Sequence, residues 1–412
     1  MQLERERPQP GQNVRNLVSS LIPSTWIAGL LIVIIGFAGS IVLVLPAADA
    51  AGLSQAELGS WVWAVSLASG LATIILSLWY GKPVITAWST PGLVLLGSSL
   101  AYYSIAEAVG VYIVVSIVIM LLGFSGLFER VVALIPQPVA MAVMGGLLFK
   151  YGIALFTGLK TDPWIVLAVM LVFLWLRRIK MRVPIAGALL VGFGAAFLAG
   201  KLDLSGVRLE LAAPVLIWPQ FTLSSLLGLG LPLLVLALAS QDLPGFVVMR
   251  AAGYEPPVNG ALVITGLVSL LFAPMLNHGT TMAAITAAIG NAPEAHPDPK
   301  RRYAAGVATG LIKITFGIFG VTIVSLLAAL PPAVIAAIAG LALSGTILQC
   351  LIGGFQEAEH RDASLWALLI TASDVQLFGI GSAFWGFVVG VLVHALLTGG
   401  RKALPEAQKA QA

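Results

Sequence analysis

Fourteen apolar stretches, parted by short polar or proline-containing turns, occupy most of this chain. They run Trp26–Leu45, Leu58–Leu78, Pro83–Tyr102, Ala108–Leu127, Pro138–Phe156, Trp164–Leu176 and Val183–Leu198, then Leu223–Met249, Val258–Leu271, Phe272–Gly290, Tyr303–Leu327, Pro332–Leu351, Ser364–Ile380 and Ala383–Leu397. A crossing helix needs about 20 apolar residues, so the pattern predicts an all-α polytopic membrane protein, with Trp164–Leu176 short for a full crossing. Two of the stretches are broken. Phe272–Gly290 reads FAPMLNHGTTMAAITAAIG, where Pro274, Asn277, His278 and Gly279 precede a helix-forming run from Met282 to Ile289. In Lys82–Tyr102, KPVITAWSTPGLVLLGSSLAY, the Pro83–Trp88 part reads as extended, Ser89-Thr90 as an N-cap and Pro91 as the first helical position. Freed backbone groups are costly in hydrocarbon, so broken segments are expected where they line a cavity, with the restarting half-helix aimed at a ligand. The plainer alternative is a pair of proline-kinked spanning helices.

The halves of the chain also echo each other. Ile135-Pro136-Gln137-Pro138 leading to Gly146 resembles Leu330-Pro331-Pro332 leading to Gly340, and Pro138/Pro332 and Gly146/Gly340 share one offset. Aligning the broken segments at Thr90 and Thr281 gives an offset three residues smaller. Seven segments per half is an odd number, so the second copy enters from the opposite side, which predicts two inverted seven-segment repeats and a site near the midplane. The expected divisions are a tail at 1–23, a first repeat at 24–200, a loop at 201–222, a second repeat at 223–398 and a tail at 399–412.

Composition fits this picture: 59% of the residues are hydrophobic and 10% charged, against about 25% charged in a soluble domain. With the N-terminus cytoplasmic, seventeen Lys and Arg residues fall on the inner side and only Lys160, Lys201 and Arg208 on the outer, while Lys150 and Lys313 lie within spans; these account for all 22. That asymmetry predicts both termini inside. Among the inner residues are Arg5, Arg7, Arg182, Arg401, Lys402 and Lys409. The polar N-terminal stretch ahead of a full-length apolar run reads as lacking a cleavable signal peptide. The single Cys350 excludes a disulfide framework. No GK[ST] phosphate loop, G-x-S-x-G elbow or H-E-x-x-H helix occurs, so the chain reads as a carrier and not an enzyme, with no cofactor, metal or nucleic acid implied.

Charged groups inside a bilayer are candidate functional groups. Lys150 and Lys313 have stems long enough to snorkel toward headgroups, and His394 sits near the end of the last span. Asp374 lies deep by these boundaries. Asp242 stands out because Ser240-Gln241-Asp242, followed by Pro244-Gly245, interrupts an apolar run. Such a cluster needs an internal partner or a cavity with water and substrate. Asp242, His278 and Asp374 are therefore the proton-coupling candidates.

PVITAWSTPG (83–92), PLLVLALASQDLPGFVVMRAAGYEPP (232–257), HGTTMAAITAAI (278–289) and GIGSAFWGFVVG (379–390) resemble the benzoate/proton symporter (BenE) family over nearly the whole chain. The resemblance implies a uracil-permease-type architecture with core and gate domains, segments 3 and 10 each being a short strand plus half-helix. It implies proton-coupled uptake of benzoate or a related small aromatic carboxylate across a bacterial inner membrane. Carried onto this chain, the substrate would meet Ser89, Thr90 and Gly92 on one side and Asn277, His278, Gly279, Thr280 and Thr281 on the other. Gln241 and Asp242 would form the wall, and Trp88, Phe37 or Phe272 would face the ring. Where the family pattern places an uncharged amide after the Gln, this chain has Asp242, which must be protonated beside an anion or face away from it. A nucleobase or other anion carrier of the same fold, a channel and a non-transporting scaffold stay open as alternatives. So does a homodimer.

Overall fold

The computed structural model describes residues 10–181, 184–207, 209–284 and 286–398. Arg5, Arg7, Arg182, Arg208, Arg401, Lys402 and Lys409, used above for orientation, lie outside the described residues, as does the tail at 399–412. The chain is mostly helical. Its first half carries α1 (Pro10–Ser20), α2 (Pro23–Ala50), α3 (Gln55–Tyr80), β1 (Thr86–Trp88), α4 (Thr90–Ser99), α5 (Ile105–Ser125), α6 (Phe128–Ala133), α7 (Gln137–Thr157), α8 (Pro163–Arg178) and α9 (Pro184–Leu198). Next come α10 (Leu223–Ala251), α11 (Val258–Phe272), β2 (Thr280–Met282), α12 (Ala287–Asn291), α13 (Tyr303–Ile318), α14 (Gly320–Ala328), α15 (Pro332–Phe355), α16 (Arg361–Ala372) and α17 (Ser382–Thr398).

Each of the fourteen apolar stretches coincides with one of these elements or a consecutive pair, but seven described helices are long and apolar enough to cross a membrane, or eight if α13 and α14, bent by 63°, form one span. Local chemistry sets many of the ends. Ser54 and Glu57 form a capping box that starts α3, and Gly81 at φ 61° closes it. Ser104 with Glu107 and Gly126 at φ 66° do the same for α5. The N-terminal stretch expected as a simple tail contains α1, which is docked: Asn13 donates to the Leu78 carbonyl at 2.8 Å, and Tyr303 donates to the Asn13 carbonyl at 2.8 Å.

The helices pack in two groups. α13 lies along α3 and α2, while α11 lies along α5; α15 lies along α7, with α16 against α7 and α17, and α8 against α9. Without a hydrophobic force between helices in lipid, close backbone approach matters most. A Cβ on Gly70 would stand 2.8 Å from the Gly310 carbonyl oxygen, and one on Gly310 would stand 2.6 Å from the Gly70 oxygen, so only glycine lets α3 and α13 meet there.

β1 and β2 form an antiparallel two-stranded ribbon with Thr86 opposite Met282, Ala87 opposite Thr281 and Trp88 opposite Thr280. A ribbon buried among helices must have its outer edges satisfied by side chains. Thr73 of α3 accepts from the Thr86 amide at 3.1 Å, Ser269 of α11 from the Thr280 amide at 2.8 Å, and Asp242 of α10 from the Met282 amide at 2.8 Å. Lys313 of α13 donates to the Thr86 carbonyl. Four helices thus hold one ribbon.

Two expectations change. The run expected to be helical from Met282 begins as strand, because Thr280–Met282 pairs with β1; helix appears only at Ala287, as five residues. The stretch expected to span to Ile380 stops being helical at Ala372. Asp374 and Phe378 follow at φ 56° each, and Leu377 bridges Ile380.

Candidate functional site

α4 begins where β1 ends. Ser89, the N-cap, accepts from the Gly92 amide at 3.1 Å, and Pro91 sits in the first turn with no amide to satisfy. The Leu93 amide donates to the Ser89 carbonyl, and the Ser89 amide donates to the Gly279 carbonyl. Among the described residues this leaves the Thr90 amide as the first-turn donor without a partner. The Thr90 hydroxyl pairs with Ser40 of α2 at 2.8 Å. Gly92 has a packing role, since a Cβ there would lie 2.7 Å from Leu233 and 2.9 Å from the Ser89 hydroxyl.

On the other strand, Gly279 at φ 131° occupies a region that L side chains rarely adopt, and it turns the chain into β2. Asn277 donates to the Thr280 hydroxyl and accepts from the Gly279 amide, both at 3.4 Å. His278 is 2% exposed. Trp61 Nε1 lies 3.0 Å from His278 Nδ1, and Nε2 lies 3.1 Å from the Ser89 carbonyl oxygen. An indole N–H only donates. Nδ1 must therefore be the acceptor, and the ring proton sits on Nε2 and donates to Ser89. His278 is a neutral, doubly bonded clamp between α3, α4 and β2.

Gln241 and Asp242 lie on a π turn of α10, Leu238–Asp242, a local widening that often accompanies functional positions. Consecutive residues on a helix point about 100° apart, and here they diverge in role. Asp242, 1% exposed, turns to the ribbon, where Oδ1 accepts from the Met282 amide and Oδ2 is buried with no partner among the described residues. Gln241 turns instead into a cavity of about 390 Å³.

That cavity lies where the ends of both strands approach α2, α7, α10, α13 and α15. Phe37, Trp88, Met141, Met144 and Leu148 supply apolar walls; Ser40, Thr90, Ser240, Gln241, Thr346 and Gln349 supply polar groups. Phe37 packs edge-on against Trp88 with ring centroids 4.7 Å apart. Phe272 packs on Trp63 instead and does not line the space. Mostly apolar walls with a few convergent polar groups, in this size range, are typical of small-molecule sites.

Of the sequence-expected residues, Thr90 and Gln241 face the cavity. Ser89, Gly92, Asn277, His278, Gly279, Thr280, Thr281 and Asp242 are absent from its lining and build the clamp and ribbon behind it. On the β2 side the wall is Ala283, Ala284 and Thr286. Asp374 is elsewhere: it is half-exposed and pairs with Lys150 of α7 at 3.6 Å. Lys313, expected to snorkel, does not; it is 6% exposed and lines the cavity. Its central position within Tyr303–Leu327 was the signal for this, since a lysine that deep has far to reach for a headgroup. Thr346, Gln349 and Cys350 gave no such signal.

The chain is similar to known proteins in both sequence and fold. The family described as "Benzoate membrane transport protein" (BenE) matches residues 19–396. The chain is 39% identical over 378 residues to the Escherichia coli inner membrane protein YdcO, covering 92% of this chain and 97% of that protein. It is 36% identical over 374 residues to the benzoate membrane transport protein of Acinetobacter baylyi, covering 91% and 95%. Among solved structures, the transmembrane domain of the cyanobacterial bicarbonate transporter BicA superposes with a TM-score of 0.59 at 16% identity, covering 92% of this chain and 97% of that one. SLC26A9 gives 0.58 at 14% identity, covering 95% and 69%. These two likenesses are of fold. The match of the family across nearly the whole chain, with two relatives above 35% identity, makes this protein a member of the BenE benzoate membrane transport family.

Proposed function

We propose that this protein is a secondary active transporter that takes up benzoate or a related small aromatic carboxylate together with protons across a bacterial inner membrane. The observation that carries the reading is the cavity of about 390 Å³ at the α4 N-terminus, lined by the aromatic rings of Phe37 and Trp88 and by the polar groups of Thr90, Ser240 and Gln241. An aromatic acid needs both: an apolar slot for the ring, and donors for the carboxylate. A relative of 36% identity is named a benzoate membrane transport protein.

In this reading the architecture is two inverted seven-segment repeats with both termini cytoplasmic. α2 to α5 and α10 to α13 form the core domain that carries the ribbon; α7 to α9 and α15 to α17 form the gate. The cavity lies between them, so relative motion of the two groups would alternate its access. Asp242 is the proton carrier, because it alone of the three candidates combines full burial with an unpartnered carboxylate oxygen. Its side chain engages the ribbon and not the cavity wall, which also answers the problem of an acid beside an anionic substrate. The nucleobase alternative rested on Asp242 and His278 reaching a heterocycle together. Both are committed to backbone and indole partners behind the wall.

Uptake of labelled benzoate into proteoliposomes with an imposed inward proton gradient tests the reading. Saturable accumulation above equilibrium, abolished by a protonophore, is the expected result. Non-saturable flux would favour a channel, and no flux from folded protein would remove benzoate as substrate.

A further inference from the structure

Two charged side chains meet the ribbon at a single rung. At the Thr86–Met282 pair, Asp242 takes the outward amide on the β2 edge, and Lys313 donates to the outward carbonyl on the β1 edge. Their surroundings differ. Asp242 is shut off from the cavity, whereas Lys313 is part of its lining. The Lys313 ammonium has three protons to donate. Among the described residues it has one hydrogen-bond partner, a neutral carbonyl, and no carboxylate pairs with it. A cation removed from water without a counter-charge is expensive. The Thr86 carbonyl does not depend on Lys313 alone, because the Thr73 hydroxyl also approaches it at 3.4 Å.

The fixed dipoles around the cavity leave a need for such a charge. The first turn of α4 is largely satisfied internally, by Ser89 and Pro91. α12, on the opposite side, has five residues, too few for an appreciable macrodipole. Lys313 is the one cation among the described residues that line the cavity.

We propose that Lys313 is the counter-charge for the substrate's carboxylate: its ammonium turns from the Thr86 carbonyl to the anion, with the flexible four-carbon stem providing the reach. The assignment rests on the aromatic-carboxylate reading above and adds its specificity determinant. Phe37 and Trp88 accept an aromatic ring whether or not it carries a charge; Lys313 makes the site prefer the acid to a neutral isostere.

The test is competition for labelled benzoate by unlabelled benzoate and by benzamide, on purified full-length protein in nanodiscs. The comparison is between wild type and Lys313→Gln, which keeps a polar N–H donor but removes the charge. Wild type should prefer benzoate over benzamide. In the Gln variant benzoate affinity should fall by at least about tenfold, the scale of one charge-assisted bond, with benzamide affinity unchanged. An equal fall for both ligands, or no fall for benzoate, would overturn the assignment and leave Lys313 as a ribbon strap. Loss of the folded Gln variant, read from its melting temperature, would assign the charge to the ribbon and overturn it too. A wild type that binds no benzoate would instead sink the transport reading itself.

Discussion

At the scale of residues, hydrogen-bond direction does most to separate the candidate groups. The indole of Trp61 holds His278 in one neutral tautomer, so His278 serves as a clamp, and the proposed proton carrier is Asp242. Trp61→Phe should leave His278 Nδ1 as a buried acceptor without a donor and cost about 1–3 kcal/mol, read as a lowered melting temperature. Unchanged stability would mean that the bond contributes nothing. Asp242→Asn keeps an acceptor for the Met282 amide but removes the titratable group. It should abolish accumulation driven by a proton gradient while benzoate exchange persists; undiminished accumulation would move the proton to another residue. Gln241→Ala should weaken benzoate binding about tenfold, the loss of one hydrogen bond, in protein that still folds. The polar trio at Ser240–Asp242 was legible as a cluster because its neighbours are apolar. Which members face the cavity was not, because one residue step turns the side chain by about 100° and the π turn shifts that phase. The depth of Lys313 in its span was legible, but its partner was not, because only the fold brings the Thr86 carbonyl within its reach.

At the scale of elements, the two breaks were legible because Pro91, Pro274 and Gly279 interrupt apolar runs where lipid does not tolerate interruption. Where helix resumes after the second break was not legible. Met282–Ile289 has good helix formers, yet strand pairing with Thr86–Trp88, nearly two hundred residues away, claims Thr280–Met282. The strand starts give a different alignment of the breaks. Strands starting at Thr86 and Thr280 are separated by the same interval as Pro138 and Pro332, whereas aligning Thr90 with Thr281 was three residues off. Asp374 was misplaced because its apolar neighbours masked the end of α16 at Ala372. Helix contact gives a prediction of its own. Gly310→Val places a side chain where the Gly70 carbonyl lies. Overpacking of this kind costs about 1–3 kcal/mol, so the variant should melt at lower temperature; an unchanged melting point would show that α3 and α13 can part freely.

At the scale of the whole molecule, the ribbon is the joint on which the account turns. Thr73, Ser269, Asp242 and Lys313 reach it from four helices, so the ribbon and its helices should move as one body. α7 and α15 close the cavity from the other packed group. The membrane class and family were legible from apolar patterning and from a few stretches such as AWSTPG and ASQDLPG. Patterning alone carried no division of the helices into packed groups, since that depends on contacts between helices far apart in sequence. The central claim is that an aromatic carboxylate binds in this one cavity, with its ring against the Phe37–Trp88 pair and its carboxylate toward Thr90 and Gln241. A structure of the protein saturated with 4-bromobenzoate, read by the anomalous signal of bromine, tests it most directly. The account predicts a single bromine peak inside the cavity, on the side away from Thr90. A peak elsewhere, or none under conditions where binding is measured to be complete, would contradict it.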